Sequence, residues 1–206
     1  MFDLVKAKTF PSSPPLGAGE WYNPRMVTAI LALFFVFAQG SKPAIDSNRV
    51  TVWDIMSVKG DAKTDRVVID LDKPGEAAFI LKGASANITS HSIVIELKDL
   101  AVPALPNKTK YPNAFPRPGV KRVLENTRVI VWDYAWTSGK PTPMHFHDKD
   151  VVVVYVANGE LKSTTPDGQS VVNPISFGLT RYNTRDRVHT EELVKGAARA
   201  IITELK

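Results

Sequence analysis

Two pairs of matching hexapeptides, in the same order along the chain, constrain the fold more than any other feature of the sequence. Residues 49–54 read RVTVWD and residues 128–133 read RVIVWD, while residues 93–98 read IVIELK and residues 201–206 read IITELK. Similarity in a fixed order indicates a repeated structural unit. The sequence therefore predicts two related units, each beginning at a hexapeptide of the first pair and ending at one of the second.

Both units have the composition and turn signals of β-structure. Residues 128–136 and 151–156 are rich in β-branched and aromatic residues, which favour strands. Asn158-Gly159 is a pair preferred in two-residue hairpin turns, and no long segment after residue 40 has helical periodicity. Further strands are predicted near residues 49–56, 66–71, 76–82, 91–98, 176–182, 187–194 and 197–205. Many short antiparallel strands predict an all-β sandwich or barrel.

An apolar run near the start of the chain, VTAILALFFVFA at residues 27–38, bears on localisation. It is shorter than the roughly 20 residues of a bilayer-spanning helix, so no stable membrane span is predicted. Its length is typical of the apolar region of a secretory signal peptide. With Arg25 before it and a cut after Ala38, residues 26–38 predict a periplasmic or secreted protein. The alternative is a buried helix in a cytoplasmic protein.

Proline divides the rest of the chain. Residues 99–120 contain a cluster of prolines, and proline cannot donate a hydrogen bond to a sheet ladder. The predicted division is a leader at 1–38, a first β unit at 39–99, a linker or surface-wrapping segment at 100–120, and a second β unit at 121–206.

Composition excludes several kinds of site. The chain has no cysteine, so disulfides and thiolate metal sites are excluded, and a metal can be held only by His, Asp or Glu. The net charge is +5, but lysine and arginine form no run longer than two residues, so no nucleic-acid-binding arm is predicted. The expected partner is a small-molecule ligand, and a homodimer is left open.

The chain has four histidines, His91, His145, His147 and His189, which are the residues to consider as metal ligands. His145 and His147 are one residue apart at the start of a predicted strand, so their side chains point to the same side and can converge on one ion. The same spacing also fits two hydrogen-bonded histidines at the edge of a core. His91 lies near the start of the last strand of the first unit and is interpreted as a polar residue at a strand end.

The segment from Gly139 onward resembles the two motifs of the cupins, which are small double-stranded β-helix barrels. The first motif is Gly, five residues, His-x-His, three or four residues, Glu, six residues, Gly. The matching residues here are Gly139, His145, His147 and Gly159. The second motif is Gly, five residues, Pro-x-Gly, two residues, His, three residues, Asn. The matching residues here are Gly178 and His189.

The resemblance covers residues 120–206 and reaches residues 49–98 only through the internal similarity. It implies an all-β jelly-roll (cupin) barrel, bicupin-like with a degenerate N-terminal half that has no His-x-His. It also implies one divalent transition metal, Fe, Mn, Ni, Cu or Zn, held by His145, His147 and His189. Three ligands leave coordination positions open for other molecules.

The sequence departs from the motifs at several positions. The glutamate of the first motif would fall at Val151 or Val152, and Asp150 is expected to point away from the histidines. Residues 184–186, Thr-Arg-Asp, replace the Pro-x-Gly of the second motif, and Leu193 replaces its asparagine.

Charged residues around His189 are the remaining site candidates. Glu191 shares the strand face of His189 and is a candidate fourth ligand, neighbour of the ligands, or catalytic acid–base group. The alternative for Glu191 is a salt bridge with Arg187. Arg181 and Arg187 are candidate anchors for an anionic substrate, whereas Arg185 is interpreted as a surface residue in a turn.

Aromatic residues on the strand before the histidines are interpreted as structural. Trp132, Tyr134 and Trp136 share one strand face, which is typical of a core or a subunit interface. Trp53 and Asp54 recur in the unit without His-x-His, so Trp132 and Asp133 are assigned to the fold.

The expected function is that of an exported cupin-domain protein that binds a divalent metal and a small anionic organic ligand. Oxygenase or isomerase activity is what the resemblance implies if the protein is an enzyme. The alternative is a non-catalytic ligand- or partner-binding cupin with a vestigial metal site. The retained histidine spacing favours the first hypothesis, and the missing glutamate favours the second.

Overall fold

The computed structural model describes residues 42–206, and these residues contain sixteen strands and no helix. The predicted signal segment at 26–38 lies outside the described residues. The strands are β1 Ile45–Asp46, β2 Val50–Ile55, β3 Val58–Asp61, β4 Arg66–Asp70, β5 Ala77–Ile80, β6 Ser85–Ile88, β7 Ser92–Leu97, β8 Lys121–Glu125, β9 Val129–Trp136, β10 His145–His147, β11 Val151–Tyr155, β12 Gly159–Thr164, β13 Ser170–Ile175, β14 Thr180–Asn183, β15 Arg187–Gly196 and β16 Ala198–Leu205.

The strands form two groups of antiparallel sheets. In residues 42–99, here called the first half, one sheet has the order β1-β2-β7-β4-β5, and β3 pairs with β6. In residues 121–206, the second half, one sheet has the order β14-β11-β16-β9-β8 and the other β10-β15-β12-β13. This arrangement confirms the all-β, double-stranded β-helix prediction. Over residues 42–206, no helix is long and apolar enough to span a membrane.

Eight of the nine predicted strands lie within two residues of their predicted bounds. They are β2, β4, β5, β7, β9, β11, β15 and β16. The strand predicted at 176–182 is displaced, because β14 begins only at Thr180.

The valine run of β11 is buried on both faces. Val151, Val153 and Tyr155 pack into the core between the two sheets of the second half. Val152 and Val154 pack into a second core shared with the first half. A strand covered on both sides needs apolar residues at every position, which explains why this run does not alternate with polar residues.

At the junction, each half donates hydrogen bonds from one arginine side chain to the other half. Arg49, in the first half, donates to the Asp150 carboxylate at 2.9 Å and to the Lys206 carbonyl at 2.9 Å. Arg128, in the second half, donates to the Asp65 carboxylate at 3.0 Å and to the Lys98 carbonyl at 2.9 Å. Each half therefore satisfies a carboxylate and a strand-end carbonyl of the other.

The two halves also contain the same internal tryptophan–glutamate bond. Trp53 Nε1 donates to Glu96 at 2.9 Å, and Trp132 Nε1 donates to Glu204 at 2.8 Å. Both bonds join the strand of one matching hexapeptide to the strand of the other. Trp132 is buried, as expected of a residue that serves the fold.

The proline-rich segment runs beside β10. Ala114 N donates to Phe146 O at 2.7 Å, and Phe146 N donates to Pro112 O at 2.8 Å. Ala114 and Phe115 are buried in the core of the second half. The segment therefore places residues 112–117 next to the strand that carries two of the histidines.

Candidate metal centre and adjoining cavity

The register between β10 and β15 brings the three predicted metal ligands together. His145 lies directly opposite His189, and His147 lies directly opposite Arg187. Because residues two apart on a strand share a face, all three imidazoles point to the same side. All three histidines are buried, and their candidate ligand nitrogens lie within 4.8 Å of one another.

Hydrogen bonds orient two of the three imidazoles for metal binding, those of His145 and His189, whereas the buried Nδ1 of His147 has no hydrogen-bond partner. His145 Nδ1 lies 2.8 Å from the Pro143 carbonyl and must donate to it, which leaves the lone pair of a neutral ring on Nε2. Ser163 Oγ lies 3.1 Å from His189 Nδ1, and the Nε2 atoms of His147 and His189 face each other at 3.1 Å. Bonds of this kind on the second nitrogen fix ring orientation in metal sites.

Burial keeps the three rings neutral. It lowers the pKa of His145 to about 4 and that of His189 to about 4, with further lowering from nearby arginines. It also lowers the pKa of His147 well below its usual value. The neutral imidazole is the form that coordinates a metal. Charge state, burial and convergence therefore all fit one divalent transition metal ion.

A cavity of about 230 Å³ adjoins the histidines. It is smaller than the roughly 300–1,000 Å³ typical of sites for drug-sized ligands, so it suits a small metabolite. Its polar lining residues are Arg117, His147, Ser163, Asn173, Arg181, Asn183, Arg187, His189 and Glu191, and its apolar lining includes Phe115, Trp136, Val151, Val153, Tyr155, Leu161, Val171 and Ile202.

Valine occupies the position where the motif has glutamate. Of the two positions considered, Val151 lines the cavity, whereas Val152 packs into the core shared with the first half. Asp150 points to Arg49, as the strand parity predicted. Asp150, the carboxylate next to the motif position, therefore forms an ion pair at the junction between the halves.

Glu191 lies in the cavity but outside the group of converging metal ligands. It accepts a hydrogen bond from Trp136 Nε1 at 3.2 Å and lies 3.9 Å from Arg117 Nη2. The alternative salt bridge with Arg187 is therefore wrong, since the ion-pair partner of Glu191 is Arg117. Arg187 instead donates through Nε to the Thr184 carbonyl at 2.8 Å.

The predicted anion anchors both face the cavity. Arg181 and Arg187 line it, and burial lowers the pKa of Arg187. Arg185 donates instead to the Pro103 carbonyl, consistent with its interpretation as a turn residue. His91 is also remote from this site, with Nε2 2.7 Å from Asp54 Oδ1 in the first half.

Arg117 is a site residue that sequence reasoning missed. Its side chain is only 7% exposed, and its Cζ lies 4.0 Å from the centre of the Tyr134 ring and 4.8 Å from that of Phe115. Trp136 adds a third ring at 5.9 Å. The aromatic stripe is thus core, as predicted, and its last two members also enclose an arginine.

Two facing antiparallel sheets, with three histidines converging where β10 meets β15, are the arrangement that the resemblance to the cupins implies. Val151 lies on the cavity wall, and the nearby glutamate, Glu191, lies on β15.

Comparisons with known proteins give similarities to solved cupin structures. No family model and no curated protein matches the chain. The chain is similar to a cupin domain from Bordetella pertussis Tohama I, at 26% identity over 48% of this chain and 98% of that one, with a TM-score of 0.40. It is also similar to a cupin 2 conserved barrel domain protein from Leptotrichia buccalis, at 14% identity over 81% and 91% of the two chains, with a TM-score of 0.42. An RmlC-like cupin family protein from Methanocaldococcus jannaschii matches at 14% identity over 52% and 92%, with a TM-score of 0.35.

Proposed function

We propose that this protein binds one divalent transition metal through His145, His147 and His189, and a small anionic organic molecule in the adjoining cavity. The observation that carries the proposal is the convergence of three buried, neutral imidazoles beside a cavity lined by arginines. Neutral imidazole suits Fe, Mn, Ni, Cu and Zn alike, so the ligand set does not select one of them.

The chemistry proposed for the site divides between the metal and the chain. A bound divalent ion would act as a Lewis acid with coordination positions open for another molecule. Arg181 and Arg187 would attract and orient an anion, and the apolar cavity wall would exclude water. Glu191 is the single carboxylate among the cavity-lining residues of the described chain, so it is the proposed group for accepting or donating a proton. Oxygenase or isomerase activity fits these parts.

A non-catalytic binding protein is the second candidate. It is favoured by Glu191, whose carboxylate already accepts a bond from Trp136 and lies near Arg117. A carboxylate held in this way is less free to move a proton. The metal would then have a structural role, or its site would be vestigial.

Metal analysis tests the first part of the proposal. The full chain, purified without a histidine tag, is expected to hold about one equivalent of metal by elemental analysis. His147→Ala should lose this metal, because it removes one of three ligands. His91→Ala is the matched control, since it removes a histidine outside the site. Equal metal content in the two variants would contradict the proposal.

Measuring turnover distinguishes an enzyme from a non-catalytic binding protein. The metal-loaded protein is incubated with a panel of small carboxylic acids, and product formation and oxygen consumption are measured. An enzyme should convert at least one bound acid, and Glu191→Gln should lower that rate while the acid still binds. Binding of an acid with no conversion in any condition would favour the second candidate.

The first half is proposed to be a structural partner of the second. The cavity-lining residues within 42–206 all come from residue 115 onward. The exchanged arginine contacts and the paired tryptophan–glutamate bonds support descent of both halves from one repeated unit. Homodimerisation stays a prediction.

Export is proposed from residues 26–38 alone. Mass spectrometry of the protein recovered from a periplasmic or culture fraction tests it. A mature chain beginning at Gln39 is the expected result, and an uncut chain confined to the cytoplasm would contradict it.

A further inference from the structure

Arg117 is held in register with the metal ligands by the backbone. The segment 112–114 bonds on both sides of Phe146, the residue between His145 and His147. Phe115, just beyond this clamp, stacks on Trp132 with ring centres 5.5 Å apart. Arg117 follows two residues later, and its Nη1 lies 3.4 Å from His145 Nε2. The guanidinium is thus positioned by the strand that carries two metal ligands.

The guanidinium of Arg117 is buried and short of acceptors. A guanidinium has five N–H donors. In the described chain its buried Nε has no hydrogen-bond partner, its Nη1 contact is long, and Glu191 lies 3.9 Å from Nη2. Three aromatic rings surround the cation, but such contacts replace only part of its lost hydration. A buried charge in this state is costly unless an anion pairs with it.

The His145 contact and metal binding exclude each other. His145 Nε2 carries the one lone pair of the neutral ring, since Nδ1 donates to Pro143. When a metal ion takes that lone pair, Arg117 Nη1 loses its acceptor beside a new positive charge. An anionic group next to the ion would then be the nearest partner for the released donor.

The charged residues facing the cavity indicate the charge of that anion. Arg117, Arg181 and Arg187 face one carboxylate, Glu191, and the histidines are neutral. The protein groups alone therefore carry a surplus of two positive charges, and a bound divalent ion would add two more, so the site favours an anion with more than one negative charge. The cavity volume of about 230 Å³ limits the ligand to a small molecule. A small dicarboxylate meets both conditions.

We propose that Arg117 is the specificity-determining residue of this site, that it binds one carboxylate of a small dicarboxylate beside the metal, and that Arg181 and Arg187 face the other. This inference rests on the proposed function, because it assumes that a metal occupies the three histidines.

The test measures dicarboxylate binding to the full, metal-loaded chain by calorimetry. Malonate and succinate are the probes, and malonamide and succinamide are their neutral analogues. Arg117→Met should weaken dicarboxylate binding by about 10- to 100-fold, the usual effect of losing a charged hydrogen-bond partner. Arg122→Met is the matched control, because Arg122 is an exposed arginine paired with Glu125. Its affinity should stay within about twofold of the unmodified protein.

A second pair of variants separates ligand binding from a structural role. Arg117→Lys keeps the charge but loses the two-pronged donor geometry, so its affinity should fall between those of the unmodified protein and Arg117→Met. Glu191→Gln removes the competing carboxylate and should strengthen binding several-fold. If Arg117 served only to neutralise Glu191, Arg117→Lys would leave the preference for a dicarboxylate over its neutral analogue unchanged.

The outcomes distinguish this inference from the proposed function. Unchanged dicarboxylate affinity in a metal-loaded Arg117→Met variant would overturn the role of Arg117 and leave the metal site standing. Failure of both malonate and succinate to bind the loaded, unmodified protein would overturn the ligand class. Absence of metal would refute the proposed function instead. If Arg117→Met does not fold, the Arg117→Lys titration decides the question.

Discussion

Asp186 adopts a backbone conformation that residues with side chains rarely occupy. Its φ is 66°, in the left-handed region, and its N donates to the His147 carbonyl at 2.9 Å. The cupin motif has glycine at this position, and glycine adopts such angles without steric cost. Aspartate is among the few other residues that tolerate them. The substitution seen in the sequence therefore preserves a turn that ties β15 to β10.

A β-branched residue at position 186 should destabilise the protein. Asp186→Val is expected to lower the free energy of unfolding by about 1–2 kcal/mol, because a branched side chain clashes in the left-handed region. Asp186→Asn should change it by less than about 0.5 kcal/mol, since asparagine also tolerates this conformation. Urea denaturation of both variants measures the difference. Equal stability of the two would show that the turn is not strained.

Individual site residues differ in how far the sequence predicts them. His145 and His147 follow from their spacing, and His189 follows from the resemblance to the second cupin motif. Strand parity correctly turns Asp150 away from them. The alternative salt bridge between Glu191 and Arg187 was wrong, because strand parity predicts which face a side chain occupies but not which neighbour it contacts. Arg117 gave no signal, since it lies in an aperiodic proline-rich segment whose path depends on tertiary contacts.

Strand β12 begins at Gly159, where neighbouring backbone atoms leave no room for a side chain. A Cβ on Gly159 would lie 2.4 Å from the Ala197 carbonyl oxygen and 2.5 Å from that of Lys195. Both are backbone atoms, so the neighbouring strand would have to shift. β12 carries Ser163, which contacts His189, so this packing also supports the metal ligands.

Alanine at Gly159 should cost more stability than alanine at Gly168. Gly168 has a φ of 85° but open space around its missing side chain, so Gly168→Ala should cost only the strain of the angle, about 1 kcal/mol. Gly159→Ala should cost about 2–3 kcal/mol, because it forces the backbones apart. Chemical denaturation of the two variants compares these costs. A smaller loss for Gly159→Ala would contradict the packing described here.

Whole strands are predictable from the sequence when they form an unbroken run of apolar or β-branched residues. β11 is buried on both faces and reads as an unbroken valine run. β10 has only three residues, and β13 contains Pro174, so neither has the length or composition that marks a strand. These strands form because the neighbouring strands β15 and β12 offer them backbone hydrogen-bond partners.

At the scale of the molecule, the two arginine exchanges join the halves unequally. The Arg49 side chain is 4% exposed and its partner Asp150 9%, whereas the Arg128 side chain is 31% exposed. Removing one partner of a buried pair leaves an unpaired buried charge, but water can replace a partner at an exposed one. The Arg49 contact should therefore contribute more to holding the halves together.

Substitution at the two arginines tests this difference. Arg49→Met is expected to lower the free energy of unfolding by about 3 kcal/mol or more, because Asp150 stays buried without its cation. Arg128→Met should lower it by about 1 kcal/mol. Thermal and urea unfolding measure both values. A larger loss at Arg128 would reverse the assignment of the main contact between the halves.

The buried histidines make the stability of the metal-free protein depend on pH. The pKa of His145 and of His189 is about 4 in the folded chain, below the ordinary value of 6.5 that applies once the chain unfolds. Between these values the unfolded state binds more protons, so stability is full above pH 6.5 and falls as the pH drops toward 4. At about pH 5 each imidazole should cost about 2 kcal/mol relative to pH 7.5.

Measuring the free energy of unfolding between about pH 7.5 and pH 5 separates the effect of the buried histidines from that of most carboxylates, which titrate at lower pH. His189→Gln should flatten the profile because a neutral amide replaces one titrating ring. Bound metal should raise stability at neutral pH and lose this effect as the pH falls, because protons compete for the same nitrogens. Stability that stays level down to pH 5 in the metal-free protein would mean that the imidazoles are not buried as described, and the case for three neutral ligands meeting at one ion would fail with it.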